Sequence, residues 1–415
     1  MSLNKTLQGD RIQITIYGKR NAGKSSIINA ITGQDIAIVS EVKGTTTDPV
    51  SKAMEILPLG PCMITDTPGL DDEGELGEKR IEKAMKVLNK TDIAILVSDI
   101  STYKNSVKFS AKEEQIINNI KEKKLPYIIV LNKSDKIKTK EAKDIKQTVI
   151  SNNPDVPVII TSAAYKKGIE ELKDALVSLV PDVKSKLDIV GDIIERNDIA
   201  LLVVPVDASA PKGRLIMPQQ QVIRDLLDNN AIAVVTQVPE LKDTLRRLEG
   251  NVKLVITDSQ AFKEVSKLVP ENIPLTSFSI LFARHKGNLK KLVEGAAAVK
   301  NLKEGDKILI AEGCTHRRQC EDIGTVKIPK WLKEYSGKDF IIETCSGSDF
   351  PTDLSSYSLI IHCGGCTLNE KEMKHRIQSA AAQGVPIVNY GIFIAYVNGI
   401  LKRSIELFPS VNKII

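Results

Sequence analysis

The sequence GKRNAGKS, residues 18–25, follows an apolar run at residues 11–17 and precedes a helical pattern at residues 25–31. This order matches the phosphate-binding loop, in which glycines let backbone N–H groups surround phosphate oxygens. The N-terminus of the following helix adds positive potential to the loop. We expect the nucleotide to contact seven loop residues: Gly18, Asn21, Ala22, Gly23, Lys24, Ser25 and Ser26.

Composition indicates a globular chain. Of its 415 residues, 42% are hydrophobic and 27% are charged, which predicts two or three domains that fold without disulfides. The net charge of +6 is not gathered in one basic block, so we expect no nucleic-acid partner. Residues 1–10 are polar, and the longest apolar runs have only strand length. We therefore expect no membrane segment and a cytoplasmic location.

Alternating strand-like and helical segments predict an α/β fold with three α/β domains. A first domain, residues 1–182, has strand patterns at residues 11–17, 62–65, 92–97, 127–131 and 156–160 and should form a parallel sheet. A smaller one, residues 183–270, has them at 199–206, 232–238 and 253–257. The third, residues 271–415, has them at 307–311, 340–345, 358–362 and 386–390.

Further elements of a nucleotide site follow the first loop. Lys24 should reach the β and γ phosphate oxygens, and Ser25 should ligate Mg²⁺. Asp66 ends a second apolar strand and can hold Mg²⁺ through water, while the N–H of Gly69 can sense the γ-phosphate. The loop at residues 44–48 can supply a second Mg²⁺ hydroxyl from its three threonines, Thr45, Thr46 and Thr47, of which we assign Thr47. We count Lys24, Thr47, Asp66 and Gly69 as the catalytic group.

The base-reading elements come last. Asn132-Lys133-Ser134-Asp135 ends another strand and resembles the guanine-reading motif of the GTPase superfamily. In that motif the Asp135 carboxylate accepts from the guanine N1–H and 2-amino groups, which adenine does not present. Ser162-Ala163, after the fifth strand, matches the last element of the same superfamily. Five elements in this order predict GTP binding.

The loops resemble those of the TrmE-Era class of GTPases. Leu70 occupies the position where Ras-like proteins have a glutamine that orients water, so intrinsic hydrolysis should be slow. Asn21 matches the asparagine that helps coordinate K⁺ in the potassium-activated members of the class. The resemblance implies K⁺-stimulated hydrolysis, and a loop-shaping role for Asn21 is the alternative.

Three of the six cysteines cluster in the last third of the chain. Cys314 follows the strand pattern at residues 307–311, and Cys363 and Cys366 follow the pattern at residues 358–362. Since the carboxyl ends of parallel strands share one edge, these thiols could meet in one crevice. Clustered thiols in a reducing compartment favour metal or redox chemistry over disulfides. Three thiolates suit an iron–sulfur cluster with one open iron position.

Other interpretations of this cluster stay open. A zinc site completed by His316 or His362 is one, and plain buried thiols are another. Each histidine could be a direct ligand or an ordinary hydrogen-bonding residue. Cys320 is ambiguous. The remaining cysteines, Cys62 and Cys345, lie in strand patterns and are predicted to be core thiols.

The arrangement Cys-x-His, a long gap and His-Cys-x-x-Cys behind a TrmE-Era-type domain resembles HydF, the family of FeFe-hydrogenase maturation GTPases. Residues 210–215 and 219–221 are similar to the dimerisation domain of that family. The resemblance implies a homodimer with GTP, Mg²⁺, K⁺ and a 4Fe-4S cluster on Cys314, Cys363 and Cys366. It also implies that the radical-SAM enzymes HydE and HydG contribute a two-iron precursor, which the apo-hydrogenase HydA receives.

Two other function classes compete with this interpretation. One is a TrmE-Era-type GTPase that acts on the ribosome or tRNA and has a structural zinc site. Against it, the C-terminal domain shows no basic RNA surface and no glycine loop of a KH module. The other is a catalytic iron–sulfur enzyme, which needs acid and base groups around a substrate pocket that the sequence does not reveal.

Overall fold

The computed structural model describes residues 8–33, 49–69, 82–103, 108–180, 188–206, 215–313, 322–347 and 349–414. The chain divides into two compact units, Met1–Ser185 and Lys186–Ile415. Among the described residues, no helix is both long enough and apolar enough to cross a membrane.

The first unit is built on a six-stranded sheet with helices on both faces. Its strands are β1 (Ile12–Tyr17), β2 (Val50–Ile56), β3 (Gly60–Asp66), β4 (Ile93–Asp99), β5 (Tyr127–Asn132) and β6 (Val158–Ile160). Its main helices are α1 (Lys24–Thr32), α2 (Ala111–Glu122), α3 (Thr139–Asn152) and α4 (Ile169–Ser178). Each central strand is buried on both faces, which explains why these segments read as continuous apolar runs.

Strand order places the phosphate-binding loop at a switch point of the sheet. The order is β2-β3-β1-β4-β5-β6, so β1 lies between strands whose connections run in opposite directions. Ligands bind at such a point, outside the carboxyl ends of the strands. Strand β2 pairs antiparallel with β3 and corrects the expectation of a purely parallel sheet. Its side chains are mostly exposed, so it lacks the apolar run by which the other strands were recognised.

The second unit contains two four-stranded sheets, and every neighbouring pair of strands in them is parallel. The first sheet has the order β10-β9-β7-β8. Its strands are β7 (Ile199–Val203), β8 (Ile232–Thr236), β9 (Leu254–Thr257) and β10 (Leu275–Ser277). The helices around it are α5 (Met217–Asp228), α6 (Leu241–Arg247), α7 (Phe262–Leu268) and α8 (Phe278–Lys286).

The second sheet has the order β12-β11-β13-β14. Its strands are β11 (Lys307–Glu312), β12 (Ile341–Ser346), β13 (Leu359–His362) and β14 (Ile387–Asn389). Its helices are α9 (Leu289–Ala297), α10 (Ile328–Ser336), α11 (Glu370–Ala382), α12 (Tyr390–Val397), α13 (Leu401–Ile405) and α14 (Pro409–Asn412). Helix α9 lies so close to β14 that a Cβ at Gly295 would be 2.0 Å from the Ile387 carbonyl oxygen, which explains the glycine.

One hydrophobic core runs through both sheets of the second unit. Thr276 in β10 donates to the carbonyl of Ser404 at 3.0 Å, and Asn389 after β14 donates to the carbonyl of Ser279 at 3.0 Å. Strand β10 lies beyond the predicted boundary at 270/271 and nevertheless pairs with β9. The α/β class is confirmed, and the three-domain division stays a prediction.

Candidate functional site

The phosphate-binding loop is held against the ends of the central strands. A Cβ at Gly18 would lie 2.2 Å from the Val97 carbonyl oxygen, and one at Gly23 would lie 2.3 Å from the Asn132 side-chain nitrogen. Gly23 also has a φ of 94°, which favours glycine. Helix α1 begins at the next residue, Lys24. The two glycines therefore allow the close approach of loop and strands that the sequence pattern implies.

Lys24 and Asp66 form the polar centre of this loop. Lys24 is 8% exposed, and its Nζ donates to the carbonyls of Gly18 and Lys19, each at 3.0 Å. Ser25 donates its hydroxyl to Oδ2 of Asp66 at 3.0 Å. The other carboxylate oxygen, Oδ1, is buried with no hydrogen-bond partner among the described residues. A hydroxyl beside an unsatisfied carboxylate oxygen fits a magnesium site.

Burial governs the electrostatics of Asp66. It raises the pKa of the carboxyl above its usual value, while the Lys24 charge and the Ser25 hydroxyl oppose the shift. Thr67, the next residue, donates its hydroxyl to the Ile16 carbonyl at 2.8 Å and fixes the start of the following loop. Gly69 lies two residues further on. The predicted residues Thr45, Thr46, Thr47 and Leu70 lie outside the described residues.

Asn132 connects three of the predicted elements. It is 2% exposed, and its Nδ2 donates to the Ala22 carbonyl at 3.0 Å. Its Oδ1 accepts from the Thr161 hydroxyl at 3.2 Å and from the Ala163 N–H at 3.1 Å. This side chain thus holds the phosphate-binding loop, the end of β5 and the loop after β6 in one position.

The carboxylate predicted to read guanine is exposed and oriented. Ser162 is buried and donates its hydroxyl to Asp135 Oδ1 at 2.5 Å. Lys133 has a φ of 63° and donates its ammonium to Asp99 Oδ2 at 2.7 Å. Asp99 ends β4, and the Lys133 interaction helps to hold its pKa below the usual value despite burial.

Two acidic residues of this site were missed by the sequence analysis. Asp99 could have been found as an acidic residue at the carboxyl end of an apolar strand. Glu113, 1% exposed, lies 3.4 Å from the Lys19 ammonium through its Oε2 and accepts from Ser110, which caps α2. The Ser-x-x-Glu capping box at residues 110–113 was the available signal.

The ends of β11 and β13 meet at the cysteine loop. Cys363 donates its N–H to the Ala311 carbonyl at 2.8 Å. Its sulfur accepts from the N–H of Gly313 at 3.0 Å and from that of Gly365 at 3.4 Å. Thr367 donates its hydroxyl to the Gly313 carbonyl at 3.0 Å. Residue 313 therefore lies against the loop that contains Cys363 and Cys366.

The described residues contain only part of the predicted metal site. Cys314, His316 and Cys320 lie outside them. Within the described ranges, no group of three or more His, Cys, Asp or Glu residues could hold a metal ion. Cys62 and Cys345 have pKa values that burial raises to about 11, as expected for core thiols.

His362 is occupied on both ring nitrogens. It is fully buried, its Nδ1–H donates to the Cys363 carbonyl at 2.7 Å, and its Nε2 accepts from Arg376 at 3.1 Å. Burial, and then the Arg376 charge, lowers the pKa of His362 to about 3, so the ring is neutral. Arg376 itself pairs with Glu372 at 2.9 Å. This geometry favours the hydrogen-bonding role that the sequence left open for His362.

Cys366 lies between burial and positive charge. Burial raises the pKa of its thiol, while the Lys286 charge and the backbone N–H groups of Cys366 and Thr367 oppose the shift. Helix α11 begins four residues after Cys366, with Asn369 as its cap. Its first turn contains Glu370 and Glu372, which offset part of the positive end of the helix.

Family models match three segments of the chain. Residues 189–287 match the hydrogen maturase F dimerization domain, and residues 290–407 match its tetramerization domain. Together these two segments span more than half of the chain. The chain belongs to the hydrogen maturase F family, HydF. Residues 13–133 match the model described as a 50S ribosome-binding GTPase, so the first unit of this HydF chain is a GTPase domain.

Curated relatives share the GTPase part of this HydF chain. The tRNA modification GTPase MnmE of Clostridioides difficile is 34% identical over 170 residues, which are 41% of this chain and 34% of that protein. GTPase Der of Kosmotoga olearia is 29% identical over 221 residues, 51% of this chain and 48% of that protein. The chain thus spans between about a third and a half of the length of these relatives.

Solved structures with a similar fold include Era from Aquifex aeolicus bound to GDP and AlF4⁻. It is 20% identical, covers 58% of this chain and 98% of that chain, and has a TM-score of 0.36. The two HydF domains identify an oligomer-forming chain, with a tetramerization domain in addition to the dimerisation domain that the sequence analysis had expected.

Proposed function

We propose that this chain hydrolyses GTP and carries an iron–sulfur cluster on which the two-iron precursor of FeFe-hydrogenase is assembled or from which it is delivered. The observation that carries the proposal is the N–H···S hydrogen bond of 3.0 Å from Gly313 to Cys363, in a chain of the HydF family. It brings the residue before Cys314 to the loop of Cys363 and Cys366.

Covalent geometry supports a three-cysteine site. The Cα atom of Cys314 is about 3.8 Å from that of Gly313, because consecutive Cα atoms have that spacing. Gly313 contacts both Cys363 and Thr367, on either side of Cys366 in the sequence. Two backbone N–H groups aimed at one sulfur suit a thiolate ligand of an iron–sulfur centre. A cluster held by Cys314, Cys363 and Cys366 would supply an exchangeable fourth iron position.

The nucleotide is GTP with Mg²⁺. Asp135, oriented by Ser162, would accept from the guanine N1–H and 2-amino groups. Ser25 and Thr47 would ligate Mg²⁺, with Asp66 acting through water, and Asn21 would coordinate K⁺ and so stimulate hydrolysis. In this proposal the GTPase regulates the association of partners and supplies no redox chemistry.

The partners follow from the family. We include HydE and HydG as contributors of the two-iron precursor and apo-HydA as its acceptor, in the cytoplasm. Self-association would use β8, which lies at the edge of its sheet and exposes Ile232 by 45% and Val235 by 46%. An apolar edge strand is suited to pairing with a second copy, so the basic assembly is a homodimer.

Anaerobic purification of the full chain tests the cluster. Brown protein that contains both iron and acid-labile sulfide, with absorption that bleaches on reduction, is the expected result. Colourless protein with one zinc per chain would instead support a structural zinc site. Colourless protein that stays free of iron and sulfide after anaerobic reconstitution would overturn the cluster and leave the GTPase function.

A further inference from the structure

Helix α8 lies along the cysteine loop and contacts it at both ends. Near the start of the helix, a Cβ built on Gly364 would be 3.9 Å from the Ser279 hydroxyl oxygen. At its end, the Lys286 ammonium donates to the Leu368 carbonyl at 3.4 Å. The loop from Gly364 to Leu368 therefore follows the length of one helix.

This helix belongs to a different segment from the cysteines. Residues 278–286 fall within the match to the dimerization domain, whereas Cys363 and Cys366 fall within the match to the tetramerization domain. The end of α8 also packs on α11, since a Cβ at Gly287 would be 3.2 Å from the Ile377 side chain. The cysteine loop is thus enclosed by elements of both segments.

Lys286 brings a positive charge to this enclosed place. The residue is 3% exposed, and its ammonium lies 5.6 Å from the centre of the Phe282 ring. Its charge is close enough to Cys366 to favour the thiolate form and so to oppose the effect of burial on the pKa of that thiol. In a buried environment of low dielectric constant, such a charge interacts with an anionic neighbour more strongly than it would in water.

We propose that Lys286 is a charge-compensating residue of the metal site, through which α8 stabilises the anionic iron–sulfur centre ligated by Cys366. This inference rests on the proposed cluster function. A centre with three thiolate ligands and sulfide carries net negative charge, and its loss from a buried site is opposed by a fixed cation beside it. The same cation favours the more negative, reduced state and therefore raises the midpoint potential.

The test compares three variants of the full chain after anaerobic reconstitution with iron and sulfide. Lys286→Met keeps the length of the side chain and removes its charge, and Lys286→Arg keeps the charge. Lys338→Met is the matched control, because Lys338 also donates to a backbone carbonyl, that of Leu302 at 2.6 Å. It lies just before β12, at the opposite end of the strands from the cysteine loop.

Three readouts are independent of enzyme activity: the rate of iron release to a chelator, the midpoint potential, and the unfolding temperature of the metal-free chain. We expect Lys286→Met to release iron roughly 10- to 100-fold faster, the range typical for loss of a supporting partner of a metal ligand. Its midpoint potential should be more negative. Lys286→Arg and Lys338→Met should both stay near wild type.

The outcomes separate this inference from the proposed function. Wild-type protein that binds no cluster overturns both. If wild type binds the cluster but Lys286→Met has the wild-type release rate and potential, the inference alone is wrong. The same holds if Lys286→Met releases iron faster at an unchanged potential. Should Lys286→Met fail to fold, Lys286→Gln and Lys286→Arg provide the comparison, and equal potentials in these two would overturn the role of the charge.

Discussion

Gly313 donates its N–H to the sulfur of Cys363 at 3.0 Å, although the two residues are fifty positions apart in the chain. The contact exists because β11 and β13 are parallel neighbours, with Ala311 opposite His362 in the register. Parallel neighbours end at the same edge of a sheet, so the residues that follow them are brought together. A cysteine next to Gly313 in the sequence is therefore well placed to share a metal with Cys363.

The cysteine loop should be required for iron. We predict that Cys363→Ser and Cys366→Ser lose most of the iron and sulfide of the reconstituted chain, since each change removes a thiolate ligand. Cys345→Ala is the control, because Cys345 lies in β12 as a core thiol. Iron and sulfide assays check the outcome, with far-UV circular dichroism to confirm folding. Full iron content in both serine variants would contradict the assignment.

Asp135 should determine the choice of base. Asp135→Asn replaces an acceptor with an amide that can donate, so two hydrogen bonds to guanine are lost. At about 1.5–3 kcal/mol for each bond to a charged group, GTP affinity should fall at least roughly 100-fold. Xanthosine triphosphate, which has a carbonyl in place of the 2-amino group, should bind better than to wild type. Titration calorimetry measures both nucleotides, and an unchanged GTP affinity would exclude this role.

The sequence predicted the positions of the loops because each one follows an apolar strand. The patterns at residues 127–131 and 307–311 correspond to β5 and β11 almost residue for residue. Short strands without such a run were missed. Strand β2 is mostly exposed, and β10 has only three residues.

Side-chain partners from other segments lay beyond sequence reasoning. The role of His362 depends on Arg376, which approaches it from a helix. The contact of Lys286 with Leu368 joins residues 82 positions apart. No periodicity encodes such contacts, because they arise from the packing of one element on another. Motif positions were therefore predictable, whereas the residues that surround the motifs required the structure.

The Asp99–Lys133 pair should make the stability of the first unit depend on pH. The pKa of Asp99 is lowered in the fold, so its contribution is present above the unfolded value of about 3.9 and is lost as the pH falls through the lower, folded value. At pH 7, Asp99→Asn should lower the unfolding temperature by roughly 2–4 °C, as for a loss of about 1 kcal/mol.

That difference should vanish in acid. Scanning calorimetry between pH 2 and pH 7, conditions chosen to bracket the titration, measures it against Asp155→Asn. Asp155 is exposed and has a φ of 69°, which asparagine also accepts, so this control should match wild type throughout. A difference between wild type and Asp99→Asn that persists unchanged at the lowest pH would show that charge is not its cause.

The edge of β8 should support self-association. Val235→Glu places a charge on this edge, where pairing with a second copy would bury it, and should weaken the dimer at least ~10-fold. Leu268→Glu is the control: Leu268 is 37% exposed at the end of α7, away from the edge strand. Native mass spectrometry should show a smaller assembly for Val235→Glu alone. An unchanged mass in both variants would place the interface elsewhere.

Asn21 can be tested for potassium binding separately from loop shape. Its φ of 61° is one that asparagine and glycine tolerate and alanine disfavours. Asn21→Gly therefore preserves the loop conformation and removes the carboxamide oxygen. We expect its GTP hydrolysis in K⁺ to fall to the rate in Na⁺, with GDP affinity near wild type. Asn21→Ala should lose both. If Asn21→Gly retains K⁺ stimulation and only Asn21→Ala is impaired, Asn21 shapes the loop and does not bind the ion.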